Sequence, residues 1–272
     1  MPAPRFRTLE LSDPAFESEN LRHLTVKSPN LDGRGDITVF VPSAADGATL
    51  PPSLPLVTLL HGVYGSHWVW TGKAGVHLTA QRLIDAGELP PMLIAMPSDG
   101  LWFDGSGYLP HNERRFDEWI VDDVPNAVIE AGLPTDERAP RFICGLSMGG
   151  YGALRLGAAG ADRFSAVAAH SSLTDFDQMR LFVEEPLERY GGPPVERSVL
   201  AMMIARRAEL PPVRFDCGVD DELIDDNRAL HRDLLAADIA HEYAEHPGGH
   251  EWEYWARHIE DSLRFFAAHL PD

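Results

Sequence analysis

The chain has 272 residues, of which 44% are hydrophobic and 24% are charged, a composition that excludes an intrinsically disordered protein. Acidic residues outnumber basic residues by 42 to 23, which gives a formal net charge of −19 with histidine neutral. Because phosphates and anionic lipids both attract cations, this charge argues against a nucleic-acid partner and against docking on an anionic membrane.

The longest apolar runs, such as residues 54–60 and 91–96, have the length of strands. They fall far short of the roughly 18 apolar residues that a membrane span needs. The first residues, MPAPRFRTLELSDPAF, contain no apolar stretch of the kind found in signal peptides. Two cysteines, Cys144 and Cys217, cannot form a disulfide framework, and we expect both to be reduced. These features predict a cytoplasmic protein with no membrane association.

Strand candidates alternate with helical patterns along the chain, which predicts a mostly parallel sheet covered by helices on both faces. The early candidates, residues 24–27 and 37–41, alternate in polarity like a hairpin. The later candidates are nearly continuous apolar runs, as expected for strands buried on both faces. They cover residues 56–60, 92–96, 142–144, 166–169, 213–217 and 241–245.

Helical periodicity fills the gaps between the strand candidates. The predicted helices cover residues 76–86, 117–131, 148–159, 227–237 and 252–270. Residues 173–212 are rich in Pro, Glu and Arg and have no regular pattern. Since some 40 residues are too few to bury a core of their own, we interpret this segment as an insertion or lid over one end of the sheet. The sequence therefore predicts a single domain over residues 1–272.

The strongest motif is the run FICGLSMGG, which reads as a strand, then G-x-S-x-G around Ser147, then a helix. This is the context of a nucleophile elbow, a sharp turn that lifts a serine hydroxyl above the sheet. Such a turn needs small neighbours two residues before and two residues after the serine, and Gly145 and Gly149 meet that requirement. Ser147 is therefore the predicted nucleophile.

A serine hydroxyl needs a base to take its proton, and that base needs a carboxylate to orient it. His250 lies in the loop HPGGHE after a late strand candidate, and we predict it as the base, with His246 shaping the loop. The carboxylates of GVDDE follow another strand candidate; Asp221 is the preferred acid and Asp220 is its rival. The order serine, aspartate, histidine is that of the α/β-hydrolase fold.

An oxyanion hole needs backbone N–H groups that point at the developing negative charge. The turn LLHGVYGS follows a strong strand candidate, and its glycines leave such groups free. We predict the N–H groups of Val63 and Met148 as the donors. His61, beside Gly62, is interpreted as a residue that shapes this loop.

With these residues in place, the chain resembles the putative-esterase family of α/β-hydrolases. This family includes S-formylglutathione hydrolase (esterase D), feruloyl esterases, enterochelin esterases and the antigen 85 mycolyltransferases. The resemblance runs from about residue 21 to residue 266 and rests on LLHGVYGS, GLSMGG, the Gly-Val-Asp-Asp turn and PGGHEWEYW. It implies an α/β-hydrolase fold with Ser147, Asp221 and His250 as the triad, and Val63 and Met148 as the oxyanion donors. The turn HGVYG departs from the S-G-L-T-C type usual in esterase D, which favours the simpler esterases.

Aromatic residues follow several strand candidates, in loops that crowd the active-site end of this kind of sheet. We expect about half of them to cover the core instead. The predicted substrate-binding residues are Trp68, Trp102, Tyr108, Phe176 and Trp252.

The sequence thus predicts a serine esterase that acts on a small-molecule ester through an acyl-enzyme. A thioesterase of the S-formylglutathione hydrolase type, an acyltransferase and a non-catalytic binding protein are the alternatives, and a homodimer is left open. No cofactor is expected, because glycine-rich nucleotide motifs are absent from the sequence. No metal is expected either, since the residues between His246 and His250 prevent the helix of an HExxH site.

Overall fold

The computed structural model describes residues 4–44, 49–99 and 103–271, and within them the core is one sheet of nine strands. The strand order is β1-β2-β3-β5-β4-β8-β9-β10-β11. The strands of this sheet are β1 Leu9–Leu11, β2 Leu21–Ser28, β3 Gly33–Phe40, β4 Leu56–Leu60, β5 Leu93–Pro97, β8 Arg141–Leu146, β9 Ala166–His170, β10 Val213–Gly218 and β11 Glu242–His246. Two further short strands, β6 Pro110–His111 and β7 Arg114–Arg115, form a separate hairpin.

Within the nine-stranded sheet, β1, β2 and β3 pair antiparallel with their neighbours, and the pairs among β5, β4, β8, β9, β10 and β11 are parallel. The parallel strands β4, β5 and β9 are buried along their whole length, which explains their continuous apolar sequences. Because parallel strands share one direction, the loops that follow β4, β8, β10 and β11 meet at the same edge of the sheet.

Helices cover both faces of the sheet. They are α1 Val69–Ala74, α2 Val76–Asp85, α3 Phe116–Glu118, α4 Val124–Glu130, α5 Met148–Ala159, α6 Val199–Ala205, α7 Ile224–Ala236 and α8 Trp252–Ala268. Side chains of α1, α2 and α8 form one buried cluster with the sheet, while α4, α5, α6 and α7 contribute to the other. Alternate residues of β4 supply opposite clusters: Val57 and Leu59 face the first, and Leu56 and Leu60 face the second.

The predicted α/β-hydrolase fold, with a mostly parallel sheet between two layers of helices, is confirmed. Each of the eight predicted strands coincides with an observed strand to within a few residues at each end, and each of the five predicted helices is present. The helix predicted over residues 117–131 contains a π-helical turn at Trp119–Asp123, which ends two residues before Pro125. Since proline lacks an N–H and crowds the preceding turn, this widening accommodates it.

Residues 173–212 form a series of short helices that includes α6. The other turns are Phe176–Leu181, Leu187–Arg189 and Pro194–Arg197. The segment is tied to itself by a bridge between Asp175 and Ser198, and it contributes buried side chains such as Met203 to the cluster on its face of the sheet. Within the described ranges, no helix is long and apolar enough to cross a bilayer.

Candidate active site

Ser147 lies at the turn between β8 and α5, with φ 54° and ψ −122°. This backbone conformation is unfavourable for a residue with a side chain, and the turn is held by close packing. A Cβ added to Gly145 would lie 2.2 Å from the carbonyl oxygen of Gly149, and one added to Gly149 would lie 2.5 Å from that of Leu60. Only glycines permit these approaches, as the motif predicts. The Ser147 N–H donates to the carbonyl of His170 at 3.0 Å, which fixes the turn against β9.

The three residues predicted as a triad come together at the carboxyl edge of the sheet. His250 Nε2 is 3.0 Å from Ser147 Oγ, and His250 Nδ1 is 3.0 Å and 3.1 Å from the two carboxylate oxygens of Asp221. These distances suit a hydroxyl that donates to Nε2 while Nδ1–H donates to the carboxylate. Proton transfer from Ser147 to His250 is therefore geometrically available.

Asp221, rather than Asp220, faces the histidine. The Asp221 side chain is fully buried, whereas Asp220 is exposed and its backbone N–H donates to the carbonyl of Gly248 at 3.0 Å. Burial raises the pKa of Asp221, but hydrogen bonds from His250 and from the Leu223 N–H outweigh burial and hold the pKa below its ordinary value. Asp221 is thus kept as a carboxylate that can stabilise a charged imidazole.

The turn after β4 lies beside Ser147, where the oxyanion donors were predicted. Val63 lines the same cleft as Ser147, and Met148 is the first residue of α5, where backbone N–H groups lack partners within the helix. His61 is buried; its Nδ1 is 2.7 Å from the carbonyl of Gly62, and its Nε2 accepts the Asp99 N–H at 3.1 Å. These contacts support the interpretation of His61 as a residue that shapes the loop.

A half-open, mainly apolar cleft of about 190 Å³ surrounds Ser147 and His250. The cleft is lined by Gly62, Val63, Tyr64, Gly65, Leu146, Ser147, Phe182, His250, Trp252 and Trp255.

Of the five predicted substrate-binding residues, Trp252 lines this cleft. Trp68 is 48% exposed and is not part of the cleft wall. Tyr108 and Phe176 are corrections: both are fully buried in the core, and the Tyr108 hydroxyl donates to the His61 carbonyl at 2.9 Å. Their loops fold inwards and bury the aromatic rings instead of presenting them to a ligand. Trp102 lies outside the described residues.

Three aromatic residues of the cleft wall, Tyr64, Phe182 and Trp255, were not predicted from the sequence. Phe182 stacks on the His250 ring, with 5.6 Å between ring centroids and 20° between planes. Trp255 meets the same ring edge-on at 5.0 Å. Trp255 could have been found, because it follows Trp252 by three residues on α8 and so shares a helix face with it. Phe182 carries no such signal, since it lies in the irregular segment 173–212.

Behind Ser147 lies a buried polar cluster. His170 Nδ1 and the Tyr254 hydroxyl contact Asp216 at 3.0 Å and 2.9 Å, Arg214 pairs with Asp216, and Ser262 Oγ is 3.0 Å from His170 Nε2. Burial lowers the pKa of His170, but the neighbouring Asp216 carboxylate reverses the effect and raises it to about 10. The cluster joins three elements that hold the predicted triad residues: β9, whose last carbonyl accepts the Ser147 N–H, β10, which precedes Asp221, and α8, which follows His250.

One group of described side chains brings three metal-binding atoms within 4.8 Å of one another: His246, His258 and Asp261. The two imidazole rings are stacked, with 4.1 Å between centroids and 11° between planes. A metal ion lies in the plane of each imidazole that binds it, so two parallel rings do not converge on one ion. The arrangement is that of a packed pair, with His258 Nδ1 bonded to Asp261 at 3.1 Å.

The mostly parallel sheet between two layers of helices, with Ser147, Asp221 and His250 together at its carboxyl edge, defines an α/β-hydrolase fold. Residues 28–266 match the model of the family described as Putative esterase. The chain belongs to that family and is an esterase, which confirms the resemblance read from the motifs.

Individual relatives agree with this assignment. The chain is 26% identical over 236 residues to an acetyl esterase of Caldicellulosiruptor saccharolyticus, a match that covers 79% of this chain and 84% of the relative. The solved structure of a ferulic acid esterase is similar with a TM-score of 0.76 and 26% identity, covering 98% of this chain and 100% of that one. An S-formylglutathione hydrolase of Staphylococcus aureus has the same fold, with a TM-score of 0.76, 18% identity and coverage of 96% and 99%.

Proposed function

We propose that the protein hydrolyses carboxylic esters through a covalent acyl-enzyme formed on Ser147. The observation that carries the proposal is the continuous line of hydrogen bonds from Ser147 Oγ through His250 to Asp221. In the first step, His250 takes the hydroxyl proton while Ser147 Oγ bonds to the ester carbonyl carbon. The same proton then passes to the leaving alcohol as the carbon–oxygen bond breaks.

In the second step a water molecule replaces the alcohol. His250 takes a proton from this water, whose oxygen attacks the acyl carbon, and then returns the proton to Ser147 Oγ as the acid leaves. Asp221 holds the imidazole in the required tautomer and stabilises its charged form. The N–H groups of Val63 and Met148 would bind the oxyanion of both tetrahedral intermediates, a contribution that is often about 3 kcal/mol for one donor.

For the substrate, we propose esters of uncharged, partly apolar molecules. The aromatic side chains Phe182, Trp252 and Trp255 give the cleft an apolar wall. The relatives named for acetyl and ferulic acid esters support small or aromatic acyl groups. Thioester hydrolysis and acyl transfer to an alcohol are the alternatives, and both would use the same serine and histidine.

The test is turnover of p-nitrophenyl acetate by the wild type and by Ser147→Ala. We expect the variant to lose turnover by several orders of magnitude with an unchanged circular dichroism spectrum and Tm. A fluorophosphonate probe should label Ser147 in the wild type, as identified by mass spectrometry of the labelled peptide. Absence of turnover in both proteins would favour a non-catalytic binding protein. Equal turnover by the two proteins, or labelling of another residue, would mean that Ser147 is not the nucleophile.

Other expectations from the sequence stay predictions. They are the cytoplasmic location, the single domain with residues 173–212 as an insertion or lid, and the open question of a homodimer. Size-exclusion chromatography with light scattering tests the last of these.

A further inference from the structure

Phe182 occupies an unusual place, because it belongs to the segment 173–212 and yet contacts the proposed base. Its ring lies nearly parallel to that of His250, with 5.6 Å between centroids, and it lines the same cleft as Val63. The neighbouring residue, Leu181, is 63% exposed and is not part of the cleft wall. The chain therefore turns one of two adjacent apolar residues towards the active site and leaves the other in solvent.

Asp104 holds this part of the chain in position. One carboxylate oxygen of Asp104 accepts the N–H groups of Glu184 and Glu185 at 2.7 Å and 3.2 Å. Its backbone carbonyl accepts the Tyr64 N–H at 3.1 Å, in the turn that carries the proposed oxyanion donor. Asp104 thus joins two segments that line the cleft, and the residues that it fixes begin two positions after Phe182.

A second set of contacts reinforces the same attachment. The Glu185 carboxylate accepts the Tyr190 hydroxyl at 2.8 Å and lies 3.1 Å from His111 Nε2. The rings of His111 and Tyr190 are stacked with 3.8 Å between centroids. The chain after Phe182 is therefore fixed by several independent contacts, which limits the positions open to the Phe182 ring.

The position of Phe182 relative to His250 indicates which part of an ester it meets. His250 Nε2 has to reach the oxygen of the leaving alcohol, so the carbon atoms attached to that oxygen pass beside the imidazole. Phe182 lies beside this imidazole in an offset stack, with 5.6 Å between ring centroids. Because the cleft is open on one side, the ring offers a surface for contact rather than a barrier to size.

We propose that Phe182 is the specificity-determining residue for the alcohol portion of the ester, and that Asp104 is the positioning residue that holds Phe182 in place. This inference rests on the proposed function. It assigns to the site a preference for esters whose alcohol is aromatic or broadly apolar. An alcohol of one or two carbons has little apolar surface to place against the Phe182 ring.

The test compares kcat/KM for 1-naphthyl acetate and for ethyl acetate in the full-length protein. For each ester, the kcat/KM of the variant is divided by that of the wild type, so that the intrinsic reactivity of the ester cancels. In Phe182→Ala we expect the value for 1-naphthyl acetate to fall about ten-fold more than the value for ethyl acetate, the loss typical of one aromatic contact. Both esters form the same acetyl-enzyme, so kcat limited by its hydrolysis should change equally for the two. Leu181→Ala is the matched control and should leave the ratio unchanged.

Asp104→Ala should produce the same selective loss to a smaller extent, since Phe182 is then present but less fixed. Asp104→Asn should restore the ratio, because an amide oxygen still accepts the two N–H groups. In the double variant with Phe182→Ala, removing the Asp104 side chain should cause no further selective loss.

Three results would overturn the inference. An equal loss for both acetates would mean that Phe182 acts only on His250. If Phe182→Ala instead lowers kcat/KM only for p-nitrophenyl esters with longer acyl chains, Phe182 contacts the acyl portion of the ester. An unchanged ratio would leave it without a role in specificity. If the wild type shows no Ser147-dependent turnover, both the proposed function and this inference fail. If turnover depends on Ser147 but Phe182→Ala does not lower kcat/KM selectively for 1-naphthyl acetate, only this inference fails.

Discussion

The contact between the loop that carries Asp221 and the loop that carries His250 makes Gly218→Ala an informative variant. Gly218 ends β10, and a Cβ added to it would lie 2.2 Å from the carbonyl oxygen of Gly248. Ordinary van der Waals contact begins more than 1 Å further out, at about 3.4 Å. Since the obstacle is backbone rather than a flexible side chain, the two loops have to separate by roughly that difference.

Such a separation would move His250 away from Asp221, the two residues that share a hydrogen bond across these loops. Displacements of about 1 Å in a catalytic group can cost about 10²-fold in rate. Overpacking of this kind also destabilises by about 1–3 kcal/mol. For Gly218→Ala we therefore expect kcat for p-nitrophenyl acetate to fall about 100-fold, with a Tm lower by several degrees.

The assay is steady-state hydrolysis of p-nitrophenyl acetate at a temperature well below the Tm of the variant, with thermal unfolding followed by circular dichroism. Gly249→Ala is the matched control, because its Cβ would meet the Asp220 carbonyl oxygen at an ordinary 3.4 Å across the same pair of loops. We expect this control to keep most of its activity. A folded Gly218→Ala protein with wild-type kcat would refute the claim that close approach of these loops aligns Asp221 with His250.

Two further predictions concern charged groups. Asp221→Asn should lower kcat by about 10⁴-fold, since the amide favours the wrong imidazole tautomer. Asp220→Asn should have little effect. Steady-state kinetics measures both variants, and a larger loss in Asp220→Asn would contradict the choice of Asp221 as the acid. The raised pKa of His170 predicts that its pairing with Asp216 stabilises the fold fully below about pH 6.5 and progressively less as the pH rises towards about 10. Urea unfolding of the wild type and of His170→Gln across this range measures the effect, and parallel stability curves for the two proteins would exclude it.

The sequence predicts the sheet and the positions of the three proposed triad residues because both depend on local patterns. The run around Ser147 specifies a strand, a tight turn and a helix within nine residues. His250 and Asp221 follow later strands, and parallel strands bring the loops after them to one edge. The choice between Asp221 and Asp220 rested on position alone, and burial of the Asp221 side chain distinguishes the two in the structure.

The cleft wall was harder to predict because it depends on contacts between segments that are distant in sequence. Tyr108 is buried by reaching the His61 carbonyl, and Phe182 is brought to His250 by a segment that Asp104 fixes 80 residues away. The short elements β1, α1 and α6 were missed for a similar reason. They have three to seven residues, too few for a clear period, and tertiary packing rather than local propensity determines them.

The backbone conformation of Ser147 has a consequence for how this protein can change. A residue held at φ 54° and ψ −122° opposes folding by about 1–3 kcal/mol, and glycine at this position would relieve that opposition. The most stable sequence for this fold is therefore not an active one. Selection for thermal robustness alone, in the laboratory or in nature, would favour loss of the proposed nucleophile, so its hydroxyl is retained only where turnover itself is selected.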